Sequence, residues 1–375
     1  MTPRHHLIPE AYLRHFAKAK PGKKYPVVAL VDRDDSSRII PKSVDKACTE
    51  VGFYRIETDD LAREKDRQGH DPELVENHLS HFEGEGLKVI DKFTRELSLA
   101  SMTQEDWYHL INFVALQTVR GHRWREDLNA LATHSARQYL RETVSDDEIR
   151  DWLVERGQRP THASVLAYRR EMTGDDGPRL FAPQAVLVQE SIRMAFTQIN
   201  ERLADCMAWS LIVGRPGSVL TSDEPIVWWS PGDDPVGFGS ARVMWFPLSD
   251  RVILQIRDTT ADPEKLGLPN SATQEDRDSL IRFINREVAG QATRWIVHHP
   301  DAQPLDGIDL PARTEWRTQL VDQSVDGNVV REQYVFRRLP RHGMNPATSG
   351  DQSNRTETER QKPNGANASA VTEGG

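Results

Sequence analysis

Cysteine is almost absent from this sequence of 375 residues, and its two examples, Cys48 and Cys206, are isolated from each other and from any metal-type spacing. A disulfide framework or a cysteine-based zinc site is therefore not expected, and the composition suits a reducing cytoplasm. No run approaches the roughly 18 apolar residues of a membrane span. The N-terminal stretch MTPRHHLIPEAYLRHF also lacks the apolar core of a signal peptide. We expect a cytoplasmic protein with no membrane partner.

Positive charge is in deficit: 48 Lys and Arg residues stand against 57 Asp and Glu residues, for a net charge of −9. Coating of nucleic acid by the whole surface is not expected, although a local basic groove stays possible. The chain also lacks a P-loop, a G-x-G-x-x-G turn, an H-E-x-x-H zinc helix and a G-x-S-x-G elbow. Common nucleotide, metalloprotease and esterase motifs therefore give no assignment.

The periodicity of the chain changes twice. Short strand-like segments occupy residues 24–57, a helical block follows over 71–206, and strand-like segments return over 207–340, where a hairpin is expected around Asp326-Gly327. This order predicts an α+β fold in which the central helical block packs on a mixed, mainly antiparallel sheet. The early strands are too few to stand alone. We therefore predict one domain over residues 1–340.

The C-terminal stretch 341–375 is rich in Thr, Ser, Asn, Gly and Gln and holds almost no large apolar residue. Such a composition cannot offset the entropy of ordering the chain. We predict a disordered tail.

Several short motifs, in order along the chain, resemble an uncharacterised bacterial family, DUF4238 (domain of unknown function). The opening HHLIPEAYLRHF carries the histidine pair, the proline, the Tyr-Leu pair and the phenylalanine of that family. The further matches are Phe53-Tyr54, Glu76 and Glu83, Gln117 and Arg120, the TSDEP segment from Thr221, and FPLS at 246–249. The likeness covers roughly His5 to Pro300. Where the family often has Thr-Pro, this chain has Gly121-His122. The family name implies no activity, so the resemblance marks positions only.

Histidines 5 and 6 are adjacent, so on an extended segment they point to opposite faces and at most one is expected to enter a given site. A histidine there could act as a general base or as a metal ligand. The alternative is structural: one ring anchors the first helix and the other is solvated.

Two pairs of polar residues lie on predicted helices. Glu76 and Glu83 share one helix face but are too far apart, at about 10.5 Å, to bind one metal ion. Gln117 and Arg120 share a face of the next long helix. Arg120 could bind a carboxylate or phosphate with its planar fork. Alternatively, it forms an interhelical pair with a glutamate and fixes the two helices.

The TSDEP segment follows a strand and precedes a proline. Ser222 and Asp223 readily accept hydrogen bonds from nearby backbone amides, so an Asx-type turn is one interpretation. The other is a carboxylate presented at the end of a strand by a rigid sheet, a common location for catalytic groups.

Two functions from different classes remain open. In the first, the protein is a nuclease-like hydrolase of an anionic, phosphodiester-type substrate that acts in a bacterial defence or conflict system. His5 or His6 would then be the base, Asp223 would orient it or hold a divalent metal, and Arg120 would stabilise negative charge. The residues predicted to bind substrate are Tyr54, Glu83, Gln117, Thr221 and Ser222. In the second, these residues form a structural network in a ligand-binding or regulatory protein. A small anion or nucleic acid is the expected partner, and the cofactor is unknown.

Overall fold

The computed structural model describes residues 3–61, 67–174, 177–205, 207–232, 236–260, 273–325 and 328–340, with side chains as far as Trp316. The predicted disordered tail over 341–375 lies outside the described residues, as does the Asp326-Gly327 turn.

The N-terminal part contains short strands and one helical turn. In chain order these are β1 (Arg4–His6), α1 (Glu10–Leu13), β2 (Val27–Asp32), β3 (Asp35–Ser43) and β4 (Thr49–Val51). β2 and β3 pair as an antiparallel hairpin, and β1 pairs with β4. The pairing of β1 fixes the backbone at the two histidines themselves, with His5 opposite Glu50 and His6 opposite Thr49.

A helical block follows, as the sequence predicts. It consists of α2 (Leu74–Glu96), α3 (Gln104–Val119), α4 (His122–Glu142), α5 (Asp146–Glu155), α6 (His162–Thr173), α7 (Gln184–Met194), a π-helical turn (Ala195–Ile199) and α8 (Asn200–Asp205). α3 begins with a capping box, in which the Thr103 hydroxyl accepts the Asp106 amide and the Asp106 carboxylate accepts the Thr103 amide. Only Arg120 and Gly121 separate α3 from α4, so these two residues form the junction between the helices.

The C-terminal part returns to strands. They are β5 (Met207–Val213), β6 (Thr221–Ser222), β7 (Val227–Trp229), β8 (Val243–Pro247), β9 (Val252–Asp258), β10 (Trp295–His298), β11 (Thr314–Val325) and β12 (Asn328–Pro340), with α9 (Gln274–Gln291) before β10. β11 and β12 form the predicted hairpin.

The strands divide among several sheets. One four-stranded sheet has the order β3-β2-β10-β6 and another the order β5-β9-β8-β7, and β1-β4 and β11-β12 are two-stranded. The α+β class is confirmed. The described strand pairs are all antiparallel, so the expected mixed sheet is replaced by separate antiparallel ones. Because β10 lies between β2 and β6, the N-terminal β2–β3 hairpin belongs to the same sheet as β6, the strand formed by Thr221 and Ser222.

The buried apolar side chains form one large cluster and one small one. The large cluster contains residues from Leu7 to Val297, with Trp245, Phe113 and Phe246 among its largest members. The small cluster is built from Val144, Ile149, Leu153 and Val165 on α5, α6 and the turn before α5. The single-domain arrangement over residues 1–340 stays a prediction. No described helix is both long and apolar enough to cross a membrane.

Candidate functional site

His5 is held by two hydrogen bonds that fix its tautomer. Its Nδ1 accepts the Tyr54 backbone N–H at 2.8 Å, so its Nε2 carries the proton and donates to Glu73 Oε2 at 2.7 Å. The ring is buried and stacks on Tyr54, with centroids 5.8 Å apart. Because the Nδ1 lone pair is engaged by an amide, His5 anchors the 53–54 segment, and the proposed role as general base would require this bond to break.

His6 points elsewhere, as expected for neighbours on a strand. Its backbone carbonyl accepts a hydrogen bond from Arg120 Nη2 at 2.7 Å. Burial lowers the pKa of its imidazole, with the Arg120 charge acting in the same direction. Its Nε2 is buried and has no hydrogen-bond partner among the described residues.

Arg120 forms an ion pair with Glu83 of α2. Its Nε also donates to the Tyr54 hydroxyl at 2.9 Å, and that hydroxyl donates to the Arg120 carbonyl at 3.1 Å. The guanidinium fork therefore has three protein partners, Glu83, Tyr54 and the His6 carbonyl, and is 5% exposed. The sequence allows two roles for Arg120, anion binding or an interhelical pair, and the structure shows the interhelical pair. Its contacts join α2, β1 and the end of α3.

Asp223 accepts three backbone amides. Oδ1 accepts from Thr293 at 2.9 Å, and Oδ2 accepts from Arg294 at 2.8 Å and Trp295 at 3.0 Å. Burial raises the pKa of this carboxyl, and the three amides oppose the rise. Within the described part of the chain, no hydrogen bond or ion pair joins Asp223 to His5, His6 or Arg120. The sequence predicts that the Asp223 carboxylate orients a histidine. In the structure this carboxylate instead accepts the backbone amides of residues 293–295.

Thr221 and Ser222 also have internal partners. The Thr221 hydroxyl lies 2.7 Å from the Tyr12 hydroxyl, which donates to the Pro247 carbonyl at 2.5 Å. The Ser222 hydroxyl donates to the Glu224 carbonyl at 2.8 Å. Both side chains are fully buried. Neither therefore has an exposed surface for the substrate contact that the sequence predicts.

Glu224 is the residue that the sequence reasoning missed. Its Oε1 accepts the Arg123 amide at 2.9 Å and the Thr293 hydroxyl at 3.2 Å, and its carboxyl lies against Gly121. Burial, with the nearby charge of Asp223, raises the pKa of Glu224 to about 8. Glu224 is therefore mostly protonated at neutral pH. Gly121 is the sequence feature tied to this buried acid, because a side chain there would overlap the Glu224 carboxyl.

A small cavity of about 10 Å³ adjoins Glu224. Its wall includes Gln117, Trp124 and Trp228, whose side-chain N–H groups (Nε2, Nε1 and Nε1) are buried and lack a hydrogen-bond partner among the described residues. An unpaired buried donor costs about 1–3 kcal/mol, so three around one cavity call for an acceptor that fills it. Gln117 is the one predicted substrate-binding residue that lines this cavity.

A larger cavity of about 420 Å³ shares Arg123 and Trp228 with the small one. Its wall combines the aromatic rings of Trp228, Trp229 and Phe283 with polar and charged side chains, among them Arg286, Glu287 and Thr293. The volume falls within the range of small-molecule sites, which are typically lined by aromatic residues and a few polar groups. We refer to the small and large cavities as the Gln117 cavity and the Phe283 cavity.

Among the described residues, no group of three or more His, Cys, Asp or Glu side chains is placed so that it could hold a metal ion. The possible divalent metal stays a prediction.

The predicted site residues thus divide into two networks that meet at Gly121. His5, His6, Tyr54, Glu83 and Arg120 form one network, and Thr221, Ser222 and Asp223 belong to the other. The fold and these networks define an α+β protein with a closed polar interior and a cavity pair beside it. The chain belongs to the family DUF4238, described as a protein of unknown function, whose model matches residues 4–302. No curated protein and no solved structure matches the chain.

Proposed function

We propose that the protein binds a small molecule in the Gln117 and Phe283 cavities, and that the histidine, arginine and aspartate residues form a structural network. The observation that carries this proposal is that three residues lining the Gln117 cavity with Glu224 each have a buried N–H donor that lacks a hydrogen-bond partner among the described residues. Binding sites of this kind join a few fixed polar groups to an aromatic wall, which Trp228 supplies here by lining both cavities.

A thermal-shift screen tests the proposal. The panel contains nucleosides, nucleotides, amino acids and sugar phosphates, each with and without Mg²⁺, Mn²⁺ or Zn²⁺. A ligand that binds the native state alone raises the melting temperature by mass action. We expect at least one compound to raise the wild-type melting temperature and to lose most of that effect in Gln117→Leu.

Asn112→Leu is the matched control. Asn112 lies on the same helix, is equally buried and also carries an unpartnered amide nitrogen among the described residues, but it lines neither cavity. It should keep the full ligand shift. A panel in which every stabilising compound acts equally on wild type and Gln117→Leu contradicts the site, and a panel with no stabilising compound contradicts the binding function.

A nuclease-like hydrolase of an anionic, phosphodiester-type substrate, with a role in bacterial defence, is the second candidate. The observation that favours it is the raised pKa of Glu224, because a carboxyl protonated at neutral pH can serve as a general acid. Incubation with plasmid, RNA and nucleotides, with and without divalent metals, tests it. Activity that survives in Glu224→Gln would contradict the acid role. A cytoplasmic location and a nucleic-acid partner stay proposals from the sequence.

A further inference from the structure

The size of the Gln117 cavity limits what can enter it. A cavity needs roughly 10–15 Å³ to hold one water molecule. The Gln117 cavity offers about 10 Å³. A carboxylate or phosphate would bring two or three oxygen atoms and does not fit. A single oxygen atom, attached to a larger body outside, matches the space.

The groups around the cavity require that oxygen to be an acceptor. Gln117, Trp124 and Trp228 each present an N–H group, and Trp indole nitrogens can only donate. On Glu224, Oε1 already accepts two hydrogen bonds, which leaves Oε2 as the oxygen to carry the proton. The protonated carboxyl is then a further donor beside the same space.

The charges nearby disfavour a negatively charged oxygen. Asp127 lines the same cavity, and Asp223 lies directly before Glu224 in the chain and acts electrostatically on it. An anionic group at this depth would face these carboxylates in a medium of low dielectric. Arg123 is the cation among the residues that line this cavity, and its single charge can offset at most one of the two carboxylates. An uncharged carbonyl oxygen satisfies the donors without this repulsion.

The Phe283 cavity indicates the shape of the body that carries the carbonyl. Trp228 belongs to both walls and meets Trp124 edge-to-face, with centroids 6.4 Å apart at 83°. Trp229 and Phe283 also line this cavity. Aromatic walls of this kind favour flat rings, which stack on them or meet them edge-on.

We infer that the ligand is a neutral planar heterocycle with a ring carbonyl, the class that includes oxopurine and oxopyrimidine nucleosides, and that its carbonyl oxygen enters the Gln117 cavity while its ring lies against Trp228. This inference rests on the proposed binding function and names its ligand class. It also makes Gln117, together with the donor-only indole N–H groups of Trp124 and Trp228, responsible for distinguishing a carbonyl from an amino group at the same ring position.

Matched nucleoside pairs test the inference by isothermal titration calorimetry of the full chain. Inosine has a carbonyl where adenosine has an amino group, and uridine differs from cytidine in the same way. A ring amino group would place a donor against the donors of the cavity, and sites built to bond one group strongly reject its replacement. We expect at least one carbonyl nucleoside to bind about 10-fold or more tightly than its amino partner, since each 1.4 kcal/mol is a factor of 10.

Gln117→Leu should remove most of that preference, whereas Asn112→Leu should keep it. Equal binding within both pairs, or no binding of any of the four nucleosides, overturns the ligand class. The thermal-shift panel separates this failure from failure of the binding function: a compound without a ring carbonyl that stabilises the wild type but not Gln117→Leu would contradict the class and leave the binding function standing.

Discussion

The carboxyl group of Glu224 lies directly against Gly121, at a point where any larger residue would overlap it. Gly121 has an ordinary φ of −83°, so the glycine serves close approach and not an unusual backbone conformation. It is the N-cap of α4, and Glu224 accepts the Arg123 amide in the first turn of that helix. Gly121 therefore positions both the helix and the buried acid beside the Gln117 cavity.

We predict that Gly121→Ala destabilises the protein by about 1–3 kcal/mol, because the new methyl group must displace Glu224 or shift the start of α4. Urea unfolding measures the change. Gly84→Ala is the control, since Gly84 lies within α2 and a methyl group there meets no atom within 4 Å. It should stabilise the protein by up to about 1 kcal/mol. Equal effects of the two substitutions would contradict the close approach at Gly121.

Arg120→Met should cost about 3–5 kcal/mol, because it leaves the Glu83 carboxylate buried without its cation. The same substitution in an exposed pair provides the control. Arg14 pairs with Glu10 one turn away, and its side chain is 48% exposed, so Arg14→Met should cost less than about 1 kcal/mol. A small loss for Arg120→Met would argue that its charge is available to a ligand, as the enzyme hypothesis requires.

Asp223→Asn should reduce stability by about 1–3 kcal/mol, because an amide NH₂ would face at least one of the three backbone N–H groups that the carboxylate now accepts. Denaturant unfolding compares it with Asp301→Asn, a substitution at an exposed partner of Lys18 that should change stability little. Asp223→Asn should also leave the nucleoside preference intact. Loss of ligand binding without loss of stability would place Asp223 in the ligand site instead.

Stability should fall as the pH rises from 6.5 to 8. The folded protein holds the Glu224 proton up to a pKa of about 8, whereas the unfolded chain releases it near 4.5. Between these values the native state binds more protons, so each pH unit removes about 1.4 kcal/mol of unfolding free energy through this group. Above pH 8 the loss levels off. The raised pKa of Asp223 acts in the same direction, and the lowered pKa of His6 opposes it mainly below pH 6.5.

Glu224→Gln isolates this effect, because glutamine does not titrate. The difference in unfolding free energy between wild type and Glu224→Gln, measured by urea at pH 6.5 and pH 8, should change by about 2 kcal/mol. A constant difference would mean that Glu224 is ionised at both pH values, and the carboxyl could not donate a hydrogen bond to a ligand.

Local chemistry made much of the fold predictable from the sequence. The Thr103–Asp106 capping box marks the start of α3, and the turn residues between β2 and β3 mark a hairpin. These signals depend on residues close together in the chain. The division of the strands into separate sheets was not predictable, because β10 meets β2 across more than 250 residues of sequence.

The site was predictable only in part, for a similar reason. The sequence predicts Arg120 and Glu83 on neighbouring helices, so an interhelical pair was among the alternatives. By contrast, Asp223 accepts three backbone amides about 70 residues away, and nothing near Asp223 in the sequence indicates these partners. Trp124 and Trp228 resemble ordinary core residues until the structure shows that their indole N–H groups have no hydrogen-bond partner within the described part of the chain.

The central claim is that the indole N–H groups of Trp124 and Trp228 bind the ligand. Two-dimensional ¹H–¹⁵N NMR of the indole region tests it most directly, with the signals assigned from Trp124→Phe and Trp228→Phe. The titrant is whichever panel compound raises the melting temperature most. We predict that both indole signals shift at saturation, while the signal of Trp245, already bonded to Gln255 at 3.1 Å, stays in place. A bound compound that leaves the Trp124 and Trp228 signals unchanged would contradict the account.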